Sequence, residues 1–231
     1  MHIATRDIIL LFATRTIRLF AYGFISVVLA LYLAATGLGA TGVGAVLTAT
    51  LAGDILVSLW VTMVADRFGR RNMLLLGAAL MILSGLVFLC TTNPVWITLA
   101  AIIGIVSPSG GEIGPFLSIE QAALSQLVPD NRRTRLFGWY NLAGSFATAA
   151  GALAGGWLAQ WLQAIGWSGL EAYRFVMAGY AACGLALVLF FLLVSRQVEV
   201  VPVAAASADA SKRTLGLHRS HKVVFKLSSL F

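Results

Sequence analysis

The stretch "VADRFGRRNML", residues 64–74, decides how this chain is organised. It places four charges, one aspartate and three arginines, within six positions between two long apolar runs. The run before it, from 42 to 65, carries Asp54 as its only charge, and the run from 73 to 90 carries none. A helix needs about 20 mainly apolar residues to cross a bilayer. The charged stretch is therefore predicted to be a short loop between two membrane-spanning helices.

The composition extends this interpretation to the whole chain. Of its 231 residues 59% are hydrophobic and 11% charged, whereas soluble domains carry about 25% charged residues. The net charge of +7 comes from basic clusters that alternate with apolar runs. That pattern is typical of contact with anionic lipid at a cytoplasmic face and argues against nucleic acid as a partner. We predict an all-α, multi-pass protein of the plasma (cell inner) membrane.

Charge-poor runs predict six transmembrane helices, and the basic residues predict their orientation. Of the 16 Lys and Arg residues, only Arg174 falls on the side opposite to the others. The positive-inside rule therefore places both termini in the cytoplasm. Residues 1–195 are predicted to form the bundle, and 196–231 a cytosolic linker; that this linker approaches a missing seventh helix is implied only by the family resemblance described at the end of this section. The predicted spans are 17–36, 42–65, 73–91, 94–127, 136–162 and 175–195.

Asp54 is the most unusual residue of the predicted spans. A carboxylate at the centre of a transmembrane helix costs about 2.5–3.5 kcal/mol on insertion scales. Thr50, Ser58 and Thr62 continue a polar stripe at a spacing of four residues, so Asp54 is expected to face protein or water. Two roles fit: a site for a proton or cation, or a structural hydrogen bond to a neighbouring helix.

The fourth span is too long for one crossing. A continuous helix over 94–127 would be about 50 Å long. Either it protrudes into the cytoplasm, or it breaks between Pro108 and Pro115, as backbone can where it lines a cavity. Glu112, within that stretch, is a second candidate for substrate or proton binding, with a structural role as the alternative. Glu120 is expected nearer the inner surface, where it could pair with a loop arginine.

Arg15 and Arg18 open the first predicted span. The default expectation is that both extend to the lipid headgroups; alternatively, Arg18 turns inward to a carboxylate of span 4. Trp139 and Tyr140 are expected at the inner interface, as part of an aromatic belt. In span 5, "GALAGGW" (151–157) has small residues spaced for close helix packing.

Several classes of function are disfavoured. A six-span serine protease needs a histidine base within the bundle, whereas all three histidines, His2, His218 and His221, fall outside the predicted spans. A metal site at His218 and His221 is disfavoured because the segment is a solvated basic one, and no cofactor is predicted. Cys90 and Cys183 are expected to serve packing. The chain is therefore not expected to be an enzyme.

Together these features resemble the N-terminal six-helix half of a major facilitator superfamily transporter. In that family the loop between helices 2 and 3 reads Gly, three residues, Asp, Arg or Lys, any residue, Gly, Arg, Arg or Lys. This sequence departs at Thr62, where glycine is usual. The resemblance implies a gating loop at the cytoplasmic face, in which Asp66 holds an arginine together with Glu120 and meets a helix end of a second half. The matching residues are Asp66, Arg67, Gly69, Arg70 and Arg71.

A second motif resembles that of the family's antiporters. It matches at Gly138, Gly151, Gly155 and Gly156, with alanine at two further positions. The resemblance implies secondary active transport of a small solute by alternating access, with proton-coupled efflux as one form. Asp54, Glu112 and Arg18 are the candidates for substrate or proton binding. The expected partners are membrane lipid, an unknown solute, and either a C-terminal six-helix half or a second copy of the chain. The alternative function is a non-transporting scaffold or channel-like protein.

Overall fold

The computed structural model describes residues 2–104, 106–111 and 116–194. Glu112, Pro115 and the predicted linker 196–231 lie outside the described residues, as do the side chains of Asp66 and Arg67. The described residues form seven α-helices and no strands. The helices are α1 (His2–Ala35), α2 (Ala40–Phe68), α3 (Arg70–Cys90), α4 (Pro94–Ile103), α5 (Phe116–Leu127), α6 (Asp130–Ala164) and α7 (Gly169–Leu193).

The all-helical membrane fold expected from the sequence is confirmed. Five helices, α1, α2, α3, α6 and α7, are long and apolar enough to cross a membrane. The predicted fourth span is divided: α4 is a shorter apolar helix, and α5 begins again at Phe116. Of the two expectations for this span, the break is therefore correct.

Local sequence sets the helix ends. Gly69 separates α2 from α3 at φ 91°, a left-handed conformation that glycine adopts without strain. Pro94 occupies the first turn of α4, where the Asn93 side chain accepts a hydrogen bond from the Val95 amide. Ser168 opens α7 in a reciprocal capping box with Glu171. These residues thus fix the boundary between α2 and α3 and the starts of α4 and α7.

The helix α1 is the most buried of the long described helices and packs along α6 and α7. Glycines make the contact with α6 close. A Cβ at Gly151 or Gly155 would fall on the carbonyl oxygen of Phe20 or Phe24, respectively. On α1, Gly23 approaches the backbone of α6 in the same way. These positions admit no side chain without separating the helices.

The other two glycines of the antiporter-like motif are placed differently. Gly138 has no heavy atom within 4 Å of an added Cβ among the described residues, and Gly156 makes only an ordinary contact, 3.7 Å, with Val27. Close packing therefore uses two of the four motif positions.

Candidate functional site

A polar pocket of about 480 Å³ lies between α1, the non-helical residues after α4, and α6. It adjoins the break in the fourth span. Its hydroxyl groups come from all three elements, and the side chains of Ser109 and Ser145 are exposed. Arg15 is its one charged residue within the described part of the chain. The lining residues are Arg15, Leu19, Ser26, Ser109, Gly110, Gly111, Gly144, Ser145, Thr148, Ala149 and Ala152.

The segment "SPSGG" (107–111) forms one wall of the pocket. The buried Ser107 hydroxyl donates to the Gly111 carbonyl at 2.8 Å, which holds the segment in a tight turn. Gly110 has φ 68°, and an added Cβ would lie 3.2 Å from the Ser26 hydroxyl and 3.4 Å from Thr148. The backbone conformation therefore favours glycine here, and the neighbouring side chains leave little space for a larger residue.

Arg15 turns into the bundle, and the expectation that it extends to the headgroups is wrong. Its side chain is 5% exposed. The guanidinium lies 4.0 Å over the Tyr140 ring, and Nη2 donates to Asn141 Oδ1 at 3.0 Å. Gly144 leaves room for it, since an added Cβ would come within 2.8 Å of Arg15 Nε. Cation–π and amide contacts replace the water that a headgroup position would supply.

Arg18 is also buried, because it pairs with Glu120. Nη1 donates to Oε1 at 2.6 Å and Nη2 to Oε2 at 2.8 Å, and both side chains are fully buried. The default expectation, that Arg18 extends to the lipid headgroups, was therefore wrong. The alternative, that Arg18 turns inward to a carboxylate of span 4, was correct. The guanidinium also lies 4.6 Å from the centre of the Phe116 ring. Such a bidentate pair is the strongest form of the arginine–carboxylate contact.

Glu120 also accepts hydrogen bonds from a second residue of α1 and from α6. The Tyr140 hydroxyl of α6 donates to Oε2 at 2.5 Å, and Thr14 Oγ1 of α1 lies 3.3 Å from Oε1. The sequence-based expectation of a contact with a loop arginine is corrected here: the ion-pair partner of Glu120 is Arg18. Tyr140 was expected at the inner interface, but its side chain is fully buried. Its neighbour Trp139 is the exposed member of the pair.

Asp54 faces the interior of the bundle, as its polar stripe predicted. It is 1% exposed, and among the described residues neither carboxylate oxygen has a hydrogen-bond partner. Tyr180 of α7 is close enough to interact electrostatically with both Asp54 and Tyr22 of α1. The hydrogen bond to a neighbouring helix, the structural role considered for Asp54, is not found in this part of the chain.

Two of the predicted loop arginines have defined surroundings. Arg70 is buried at the start of α3. Arg71 donates to the carbonyls of Phe191 and Leu192 at 3.1 and 2.6 Å, and Arg6 donates to that of Leu193 at 2.6 Å. These are the last carbonyls of α7, where a helix carries partial negative charge and lacks internal donors. Sequence patterns did not predict this contact, because the loop and the helix end are more than a hundred residues apart.

The fold and pocket define a helical membrane protein with a polar site between its first, broken fourth and fifth spans. A family model of the Major Facilitator Superfamily matches residues 11–231. The chain belongs to that superfamily.

Two similar proteins place the chain at about half the length of its relatives. It is 38% identical over 199 residues to "Uncharacterized membrane protein YJR124C" of Saccharomyces cerevisiae, a match that covers 85% of this chain and 44% of that protein. It also shares the fold of a D-xylose-proton symporter, with a TM-score of 0.63 and 20% identity. That match covers 81% of this chain and 48% of the symporter.

Proposed function

We propose that this chain is half of a secondary active transporter that moves a small solute by alternating access. The observation that carries the proposal is the polar pocket between α1, the 106–111 segment and α6. Irregular backbone at membrane depth is tolerated where it lines a cavity, and transporters commonly bind substrate beside such broken helices. A scaffold would not need a broken helix or a buried arginine beside a cavity.

Proton coupling is the energy source that we propose, with Asp54 and Glu112 as the proton-binding groups. A carboxylate buried at the centre of a span is costly unless it has a function, and Asp54 is almost completely buried. Arg18, through its pair with Glu120, would hold the fourth span against α1 as the pocket opens and closes. Efflux is the proposed direction and rests on the glycines of α6.

The missing partner is proposed to be a second six-helix unit, either a C-terminal half or another copy of this chain. The match to the yeast protein covers only 44% of its length. Large apolar side chains are exposed along α2 and α6, including Leu56, Met63, Phe146 and Leu153. These two faces would pack against the second unit in the plasma membrane, and Asp66 with its neighbouring arginines would latch the inner side.

Solute-driven proton movement in proteoliposomes tests this function. The chain is reconstituted with a trapped pH-sensitive dye, alone and with the part of the yeast relative outside the matched segment. We expect a solute gradient to change the internal pH only when both parts are present. Asp54→Asn and Glu112→Gln should abolish the signal, whereas exposed Arg132→Gln should leave it unchanged.

Each outcome decides a separate point. Normal coupling in both carboxylate variants would assign Asp54 and Glu112 structural roles. Robust flux by a demonstrated monomer would show that no second unit is needed. Absence of any flux from the assembled pair would favour a scaffold.

A further inference from the structure

Three residues of one turn of α6 form a seat for the Arg15 guanidinium. The centre of the Tyr140 ring lies 4.0 Å from the guanidinium carbon, and Asn141 Oδ1 accepts from Nη2 at 3.0 Å. Gly144 lies four residues after Tyr140, on the same face of α6, and an added Cβ would come within 2.8 Å of Arg15 Nε. Arg15 therefore reaches the pocket lining along a path that α6 shapes.

Tyr140 does not line the pocket itself. Its side chain is fully buried, and it is not among the lining residues. A cation over the face of an aromatic ring is attracted by the electron density of that face, and more strongly where both groups are removed from water. Any effect of Tyr140 on a solute in the pocket would therefore act through Arg15.

The hydroxyl end of Tyr140 is bound to α5. The hydroxyl donates to Glu120 Oε2 at 2.5 Å, and the same carboxylate forms the bidentate pair with Arg18. Hydrogen bonds to an ionised carboxylate are stronger than those between neutral groups. Phe12 of α1 makes a T-shaped contact with the Tyr140 ring, with 5.0 Å between the ring centres. The ring next to Arg15 is thus held at its hydroxyl by α5 and along its side by α1.

We infer that Tyr140 is a positioning residue of the polar pocket: Glu120 fixes its hydroxyl, and its ring sets the direction of Arg15. The helix α5 is the part of the divided fourth span that follows the pocket wall at 106–111. A movement of α5 would therefore change the direction of Arg15 through this tyrosine. The importance of this link for transport rests on the proposed function, whereas the positioning itself does not.

The first test records the guanidinium signals by nuclear magnetic resonance, in the full chain with nitrogen-15 arginine in detergent micelles. Arg15→Lys assigns the Arg15 signal. Protons above the face of an aromatic ring are shielded, so we expect the Arg15 Nε proton upfield of that of exposed Arg132. Tyr140→Leu should abolish this upfield shift, and Tyr140→Phe, which keeps the ring, should retain most of it. Trp139→Leu is the matched loss of an exposed ring on the same helix and should leave the signal unchanged.

Two results of this test would overturn the inference. One is an Arg15 signal without an upfield shift in the unmodified chain, and the other is a shift that survives in Tyr140→Leu. If Tyr140→Leu does not fold, the second test decides.

The second test examines the link to α5. Glu120→Asp keeps the charge but withdraws the carboxylate by one methylene group. We expect this substitution to move the Arg15 signal in the unmodified chain and to leave it unmoved in the Tyr140→Phe chain, because the connecting hydroxyl is absent there. Glu171→Asp, the same shortening at an exposed position, should not move the signal in either chain. Equal displacements in both chains would show that Glu120 acts on Arg15 without Tyr140, and would overturn the link.

Neither test contains a solute, so the result does not depend on transport. The expected signals together with no flux from the assembled pair in proteoliposomes would support the positioning role and contradict the proposed function. Flux from the pair together with an Arg15 signal that ignores Tyr140 would do the reverse.

Discussion

The buried pair between Arg18 and Glu120 makes the most quantitative prediction about this bundle. Glu120→Met leaves a cationic guanidinium in the core, and Arg18→Met leaves a carboxylate there. Breaking a buried pair on one side costs about 3–5 kcal/mol, because the remaining charge is not hydrated and has lost its ion-pair partner. Both side chains are fully buried, so solvent screening will not reduce this cost.

The double variant Arg18→Met/Glu120→Met should be more stable than either single variant. It leaves no uncompensated charge, and apolar replacement of an ion pair is often nearly neutral. The remaining loss comes from the Tyr140 hydroxyl, whose acceptor at 2.5 Å is removed, and an unsatisfied buried donor costs about 1–3 kcal/mol. The coupling free energy between the two sites should therefore exceed about 3 kcal/mol.

Reversible unfolding in mixed micelles, followed by tryptophan fluorescence as the denaturing detergent is increased, supplies these free energies. Exposed Arg132→Met is the matched control and should change the free energy of unfolding by less than about 0.5 kcal/mol. Additive single and double effects, or a double variant less stable than both singles, would refute the argument that the pair stabilises the bundle as a unit.

Three other predictions follow from contacts in the fold. Gly155→Leu should destabilise the bundle by about 1–3 kcal/mol, because the leucine side chain would meet the backbone of α1. Gly138→Leu is the control: its side chain has open space, so the melting temperature should change little. Cysteines at Thr92 and Arg132, both exposed, should react with an impermeant maleimide from opposite sides of the membrane; labelling from one side would contradict the predicted orientation. Arg71→Gln should cost about 1 kcal/mol and accelerate hydrogen exchange in the last turn of α7, and unchanged exchange would show that the capping bonds are dispensable.

Sequence reasoning predicted features that have a local cause. The break in the fourth span, one of the two alternatives that the sequence left open, follows from prolines and glycines that disfavour a continuous helix. The inward direction of Asp54 follows from the four-residue spacing of its polar neighbours, and the turn at Gly69 from the conformational freedom of glycine. The charges expected in a loop there lie instead at the end of α2 and the start of α3. Each of these features depends on residues that are close in sequence, so the amino-acid sequence alone was enough to predict it.

The arginines of α1 were misplaced because the relevant information is not local. Arg15 and Arg18 stand where an apolar run begins, and that pattern is the same for a side chain at the headgroups and for one in the bundle. The direction of these two side chains is set by a carboxylate on α5 and an aromatic ring on α6, which are more than a hundred residues away in sequence. One signal was available: Arg18, Tyr22, Ile25 and Leu29 share one helical face, and the last three are buried.

The polar pocket gives a stronger reason for a second unit than the exposed apolar faces do. Large apolar side chains on α2 and α6 can face lipid at little cost, because lipid tails are as apolar as the side chains themselves. The pocket is a costlier surface to leave against lipid, since the hydroxyl groups of Ser109 and Ser145 are exposed there. Two of the charged side chains near the end of α7 are already engaged within the chain, because Arg71 and Arg6 bind its last carbonyls. We therefore propose that the open side of the pocket faces water enclosed by another protein surface, and that a second six-helix unit supplies that surface.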